Sequence, residues 1–334
     1  MPRVSVLLPV RDAAPHLGAC LDSLAAQTLC DHEVIAVDDG SRDGSSELLL
    51  SRAASDPRLR VRCTPPRGLV PALALALAEA RAPLVARMDA DDVARPLRLA
   101  LQAARLESDP GVDVLGCRVV ATAGSGARPG PGMARYVEWS NGLLEHEAIS
   151  RARFVESPLV HPSVAMRTLT LRRLGGWRDF DGPEDYELWL RALSAGLRFA
   201  KLDQVLLEWR DTPQRLTRRD PRYRPSRFLA VKLAALAELL QGRAVVVWGA
   251  GPIGKAWARS LVSRGHRLQA IVEVDPRKIG QRIHGAAVVP VEQAGVLADA
   301  VHLGAGGQPG ARQRLRSVAA AAGLVDGETF FAVA

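Results

Sequence analysis

The chain has 334 residues, 48% of them apolar, more than one hydrophobic core ordinarily serves, and it predicts about two domains. The longest weakly charged stretch, residues 68–86, is broken by Glu79 and Arg81, which excludes a membrane-spanning helix; residues 1–9 lack the features of a secretion signal, so a cytoplasmic protein is expected. A formal charge of +8 permits a polyanionic partner, but 40 of the 44 basic residues are arginine, a compositional bias, and no nucleic-acid partner is expected. Cys20, Cys30, Cys63 and Cys117 form no Cys-x-x-Cys pair, which argues against a zinc site or a disulfide framework and predicts four small core residues.

Residues 4–9, Val-Ser-Val-Leu-Leu-Pro, read as a buried strand of a parallel sheet, followed by a helix with Pro15 in its first turn and Leu17, Cys20, Leu21 and Leu24 on one face. Val34 to Val37 form a second strand that ends at Asp38-Asp39-Gly40-Ser41. Acids at the carboxyl end of a strand suit a ligand site in an α/β sheet, and they equally suit a turn that starts a helix over residues 45–51. A third strand is expected over residues 60–63 and a helix over 72–80. The strand Leu84-Val85-Ala86 then delivers Arg87-Met88-Asp89-Ala90-Asp91-Asp92, three carboxylates in four residues. Such a cluster repels itself unless a cation or hydrogen bonds offset the repulsion, and all-oxygen ligands favour Mg²⁺ or Mn²⁺. The alternative is a solvated turn that caps a helix starting near Pro96.

In order and spacing, Val4 to Pro9, Val37-Asp38-Asp39-Gly40-Ser41-Arg42-Asp43-Gly44-Ser45 and Met88-Asp89-Ala90-Asp91-Asp92 resemble the donor half of inverting nucleotide-sugar glycosyltransferases of family 2, which have the GT-A fold. The resemblance implies that Pro9, Arg11, Asp38, Asp39, Asp89 and Asp91 lie on the donor side. It further implies that Asp39 reads the nucleobase, that Asp89 lies near the ribose or metal, and that Asp91 ligates a divalent ion on the diphosphate. Two departures stand out: Arg11 follows the first strand where many members have Tyr-Asn, and residues 68–80 lack an Asn often found there.

Residues 112–117 are a further strand, and residues 123–133, rich in Gly and Pro, a loop that reads either as a lid or as a plain surface connection. A helix is predicted from Asp181 to Ala192, closed by Gly196, with Asp181 and Glu184 at capping-box spacing. Asp185 shares a face with Leu188, Trp189 and Ala192, so its carboxylate points inward, where a raised pKa suits a general base. Glu184-Asp185 with Leu188-Trp189-Leu190-Arg191 resembles the acceptor-side motif of the same family, which implies that Asp185 is the catalytic base and puts Glu184, Trp189 and His161 on the acceptor side. Pro162 favours a structural role for His161.

Seven arginines occur in residues 210–227, suited to phosphates of donor, acceptor or membrane lipid, or to a solvated linker. A helix over 228–240 precedes a new domain at about Arg243. There the strand Val245-Val246-Val247-Trp248 runs into Gly249-Ala250-Gly251-Pro252-Ile253-Gly254, and a second strand ends at Glu273, 24 residues after Gly249: the context of a dinucleotide fingerprint. Later glycines resemble small Rossmann-like domains that precede sugar acyltransferases, which implies a nucleotide or nucleotide sugar at Gly249, Gly251, Gly254 and Glu273; the alternatives are a redox NAD site and packing glycines without a ligand.

The expected organisation is therefore α/β throughout: a GT-A domain over 1–225, a linker helix over 226–242 and a smaller Rossmann-like parallel domain over 243–334. The expected activity is metal-dependent transfer of a sugar from a nucleoside-diphosphate donor, UDP-linked, to a glycan or lipid-linked acceptor with inversion, in surface polysaccharide synthesis, with peripheral membrane contact through residues 210–227. The rivals are a sugar-phosphate nucleotidyltransferase, against which no basic Gly-rich loop follows the first strand, and a non-catalytic binder of polyanions or nucleotides.

Overall fold

The computed structural model describes residues 1–123, 129–212, 215–308 and 310–334. In chain order its elements are β1 (Val4–Val10), α1 (Ala14–Ala25), β2 (His32–Asp38), α2 (Ser45–Ala53), β3 (Leu59–Cys63), α3 (Leu69–Glu79), β4 (Leu84–Arg87), β5 (Val93–Ala94), α4 (Arg98–Ser108), β6 (Val114–Ala123), α5 (Pro131–Asn141), α6 (His146–Ala152), β7 (Ala165–Arg167), α7 (Thr168–Arg173), α8 (Glu184–Ser194), β8 (Phe199–Asp211), α9 (Leu216–Arg219), α10 (Pro225–Leu240), β9 (Val245–Trp248), α11 (Pro252–Ser263), β10 (Leu268–Glu273), β11 (Arg282–Ile283), β12 (Ala286–Pro290), β13 (Val301–Gly304), α12 (Ala311–Ala321) and β14 (Phe330–Ala332). They form two compact units, Met1–Ile149 with Leu159–Arg224, and Ser150–Pro158 with Pro225–Ala334.

The first unit is built on an eight-stranded sheet in the order β3-β2-β1-β4-β7-β6-β8-β5. Strands β3, β2, β1 and β4 are parallel, with Val10 opposite Asp38 and Leu7 opposite Arg87, so the segments that leave β1, β2 and β4 emerge side by side at one edge. Alternation along β1 sends Val6 and Leu8 into one apolar layer and Leu7 into the other, as the period of two requires. Each such side chain, fully buried, contributes about 1.5–3 kcal/mol relative to exposure. Cys20 and Cys117 belong to this core, whereas Cys30 and Cys63 are exposed, contrary to expectation.

The second half of this sheet departs from the parallel pattern. Strand β7 is antiparallel to both β4 and β6, and β8 runs parallel to β6 but antiparallel to the two-residue β5. Neither β7 nor β8 stands out in the sequence. The β6–β8 register shifts around Arg118, and Asp203 and Gln204 are exposed in mid-strand, which erases the alternation that would announce β8. Of the proposed loop 123–133, residues 124–128 lie outside the described residues; helix α5 starts at Pro131, inside its expected end.

The second unit carries a six-stranded sheet in the order β11-β12-β10-β9-β13-β14, parallel except for the short β11–β12 pair. Helix α10, expected as a linker, belongs to this unit, as does Ser150–Pro158. Between β9 and α11 the backbone turns at Gly249, with φ +100°, and a Cβ on Gly254 would sit 1.7 Å from the Gly249 carbonyl oxygen. The strand–turn–helix packing therefore demands glycine at both positions whether or not a ligand binds there.

Candidate functional site

The loops after β1 and β2 are laced together. Asp43 and Ser45 accept from the backbone N–H groups of Ala14 and Ala13 at 2.8 and 2.9 Å, and Asp12 accepts from Arg42 N at 2.8 Å. Asp38 is 2% exposed and accepts from the hydroxyls of Ser41 and Ser46, one per carboxylate oxygen, which ties the turn to the start of α2. Asp39, 3% exposed, faces the other way: it accepts from Arg67 N at 2.6 Å, Gly68 N at 2.9 Å and Arg11 Nη1 at 3.1 Å. Pro9 is buried within β1, and the Arg11 side chain, half exposed, stands at the mouth of this pair. Removing the Asp39 carboxylate orphans two backbone donors at the start of α3. Asp39→Ala is accordingly expected to lower stability by about 1–3 kcal/mol, read as a lower urea midpoint at an unchanged slope.

At the end of β4 the chain brings Asp89, Asp91 and Asp92 together, with one oxygen of each within 4.8 Å of the others. Burial, reinforced by Asp89, pushes the Asp91 carboxyl up to about 6, and Asp92, fully buried, is pushed well above the ordinary carboxylate range by burial, Asp89 and Asp91. Asp92 Oδ1 accepts from Arg210 N at 2.7 Å, while its Oδ2 is buried without a hydrogen-bond partner among the described residues. Arg87 donates to Asp89 Oδ1, and the buried Arg98 donates to the Arg87 carbonyl at 2.6 Å, holding the loop from behind. The cluster does not cap the following helix: α4 begins after Leu97 and has no side-chain cap.

The predicted acceptor side lies on α8. Its N-terminal flanking residue is Pro183, with no side-chain cap, so Glu184 is the first helical residue and the Asp181–Glu184 capping box is not formed. Glu184, 2% exposed, instead accepts from the Tyr223 hydroxyl at 2.6 Å and lies 3.8 Å from His161 Nδ1. Burial raises its carboxyl, partly offset by the Tyr223 hydrogen bond. His161 is buried beside Arg87 and held well below its ordinary value, hence neutral; Trp177 Nε1 donates to its Nε2 at 2.9 Å, which leaves the ring proton on Nδ1, toward Glu184. Asp185 is half-buried and accepts from Tyr186 N at 2.7 Å, while Trp189 is in the core, edge-on to His161. Arg87 sits close enough for its charge to act on His161 and Glu184 as well as on Asp89. The two sets of predicted residues are thus neighbours.

The arginine-rich segment is no detached linker. Beyond the Arg210–Asp92 bond, Arg218 pairs with Asp211 at 2.6 Å, the Arg215 guanidinium lies 3.9 Å from the Trp209 ring centroid, and its charge acts on both Asp91 and Asp92. Pro213 and Gln214 lie outside the described residues. Sequence reasoning named Arg87 and Asp92 in the acidic stretch without giving either a role of its own, and it missed Arg98 and Tyr223. A charged residue ending an apolar strand was the available signal for Arg87; Tyr223 reaches Glu184 across 39 residues and has no local signature.

In the second unit Glu273 is buried and its carboxylate is engaged by Ala250 N at 2.8 Å, Val274 N at 2.8 Å, Asp275 N at 3.2 Å and Lys278 Nζ at 3.3 Å. These bonds, against the cost of burial, hold its carboxyl below the usual value and clamp the glycine loop to the end of β10.

Known proteins resemble this chain in sequence and fold. The profile of Glycosyl transferase family 2 matches residues 5–171, half of the chain. The amylovoran biosynthesis glycosyltransferase AmsE of Erwinia amylovora is 30% identical over 209 residues, 62% of this chain and 75% of that protein. Among solved structures, S. aureus TarS 1-349 in complex with UDP-GlcNAc is similar with a TM-score of 0.56 at 19% identity, covering 78% of this chain and 72% of that one. The mannosyltransferase PcManGT from Pyrobaculum calidifontis, in complex with GDP-Man and Mn²⁺, gives a TM-score of 0.52 at 22% identity and covers 79% of each chain. At these identities the two structures speak for the fold, and the profile match for the family: the chain belongs to glycosyl transferase family 2.

Proposed function

We propose that the chain transfers a sugar from a UDP-linked donor to an acceptor hydroxyl with inversion, using a divalent cation, in the synthesis of a polysaccharide or related glycan. The observation that carries this reading is the trio Asp89, Asp91 and Asp92 on the same sheet edge as Asp39, at the ends of the two strands that flank β1, in a family 2 fold. The donor set fits a hard cation: three self-repelling carboxylates converge, and Asp92 Oδ2 is buried without a partner. Asp89 and Asp91 would hold the ion with Asp92 behind them; when bound, Mn²⁺ or Mg²⁺ supplies positive charge for the departing diphosphate. The named donors and ion of TarS and PcManGT support the choice of substrate class and metal.

In this reading Asp39, held by the start of α3, contacts the nucleobase with Arg11 above it, and Asp38 keeps the turn in shape. Arg215 lies with the donor phosphates, which its reach to Asp91 and Asp92 supports over contact with a membrane surface. Asp185 takes the proton of the acceptor hydroxyl as it attacks the anomeric carbon, while Glu184 and His161 fix the start of α8. Among the described residues no helix is long and apolar enough to cross a membrane. The test is incubation with a panel of nucleotide sugars, acceptors and Mn²⁺, scoring released nucleoside diphosphate by mass spectrometry and product anomer by NMR. Retention of anomeric configuration, or pyrophosphate release from a nucleoside triphosphate, would overturn the proposal.

Cation uptake should depend on pH in a stated direction. Because the folded-state pKa of Asp91 is raised to about 6, the unliganded chain gains stability from this group as pH falls through 6, when the carboxyl takes a proton that the unfolded chain takes up only at lower pH. The same proton competes with the ion. Mn²⁺ affinity, followed by calorimetry, is expected to fall as the pH drops through about 6.

For the second unit the reading is binding of a nucleotide or nucleotide sugar at Gly249, Gly251 and Gly254, with Glu273 reaching a ribose only by giving up bonds to its own loop. Gly251 offers a clean test: it has φ −81° and nothing within 4 Å of a Cβ, so Gly251→Ala preserves the fold while obstructing close approach of a phosphate. Calorimetry of the full chain with UDP-sugars, NAD and NADP should then show one weakened ligand.

A further inference from the structure

Arg87 is the residue of the acidic loop for which the donor reading has no use. It ends β4 with only 4% exposure, its N–H donates to the Val164 carbonyl at 2.9 Å, and its own carbonyl is held by Arg98. Its main chain is therefore fixed. Its side chain is less so: Nη1 donates to Asp89, and Nε is buried with no hydrogen-bond partner among the described residues. Val164 directly follows the turn His161–Ser163, and His161 Nδ1 is 3.8 Å from Glu184 Oε1, so the main chain of Arg87 runs beside the turn whose histidine faces Glu184, and the Arg87 charge acts on His161 and Glu184 from its place on Asp89. A buried guanidinium has five N–H donors and a strong need for anionic partners, and here one donor is idle while a second buried carboxylate stands within electrostatic reach.

We propose that Arg87 is a positioning residue shared by Asp89 and Glu184: a divalent cation taken up by Asp89 and Asp91 displaces the guanidinium from Asp89, and Arg87 then pairs with Glu184. This rests on the metal reading given above. The change needs only side-chain rotation, because the backbone bonds to Val164 and Arg98 are kept. Its consequence is coupling between donor and acceptor sides: an ion at one end and an Arg87–Glu184 pair at the other favour each other, and by linkage each strengthens the other by the same factor. Glu184, which is no ligand, then contributes to ion affinity, and with the ion in place the start of α8 beside Asp185 is held by an added charged hydrogen bond.

The test is Mn²⁺ binding by the full chain at pH 8, read from the electron paramagnetic resonance signal of the free ion. Wild type, Asp91→Asn, Glu184→Gln, Arg87→Gln and the double variant Arg87→Gln with Glu184→Gln are compared. The expected result is binding by the wild type, loss in Asp91→Asn, weakening by about fivefold or more in Glu184→Gln, and no effect of Glu184→Gln when Arg87 is already Gln. Wild-type affinity in Glu184→Gln overturns the proposal even if Arg87→Gln fails to fold, and so does an equal loss in both backgrounds, which would mark Glu184 as acting without Arg87. Absence of Mn²⁺ binding by the wild type would overturn the metal reading itself. Binding that is lost in Asp91→Asn but indifferent to Glu184 would overturn only the role of Arg87.

Discussion

Asp91→Asn is expected to abolish sugar transfer while leaving the fold intact or slightly stabilised. The carboxylate is held unfavourably: burial and Asp89 push its pKa up to about 6, so at neutral pH the unliganded chain bears repulsion that an amide of the same size removes. Activity should move the opposite way. Charge stabilisation of a leaving group by a bound ion is worth several kcal/mol, and at 1.36 kcal/mol per decade its loss predicts a fall of about 10³-fold or more. EDTA should give the same loss in the wild type, restored by Mn²⁺. Activity that survives chelation would remove the metal from the mechanism and leave the three aspartates as a structural turn.

The second large effect is expected at Asp185. Its half-buried carboxylate is anchored at the beginning of α8 by Tyr186 N, and Asn can keep that bond while losing the ability to take a proton. Turnover of Asp185→Asn should fall by about 10²- to 10⁴-fold, the usual range for a lost general base, with donor affinity nearly unchanged. The distinction is measurable by titrating donor against both proteins and comparing single-turnover rates. An equal loss of donor affinity would make Asp185 a binding residue, and the proton would have to go elsewhere.

How far the sequence carried this picture depended on whether a feature is local. Strands β1, β2 and β4 were legible because each is a short apolar run buried on both faces, and the acids at their ends follow directly. The fate of those acids was not. Asp38 and Asp39 are adjacent and chemically equal, yet one is consumed by Ser41 and Ser46 and the other by the start of α3, a difference set by the pleat and by a segment 28 residues away. Glu184 looked like half of a capping box because Asp181 stands three residues before it. Pro183 is extended, with ψ 110°, so the helix starts only at Glu184, and the carboxylate is answered by Tyr223 instead. Strand β8 was hidden by its own bulge, and with it the Arg210–Asp92 bond, which needs partners 118 residues apart.

The discontinuity of the second unit bears on how the protein can be cut. Ser150–Pro158 sits in the middle of the first unit's sequence yet clusters with residues 225–334. Phe154, 2% exposed, lies edge-on to Phe331 with ring centroids 5.8 Å apart, and Lys232 Nζ donates to the carbonyls of Val155 and Val333 at 2.8 and 3.2 Å. A chain truncated after Arg224 would leave Phe154 and Val155 uncovered, while a fragment beginning at Arg243 would lack helix α10 and both of these anchors. Neither half is a simple excision: a stop codon near residue 225 would yield an N-terminal piece with apolar surface open to aggregation, and proteolysis there would part Phe154 and Val155 from the segment that covers them.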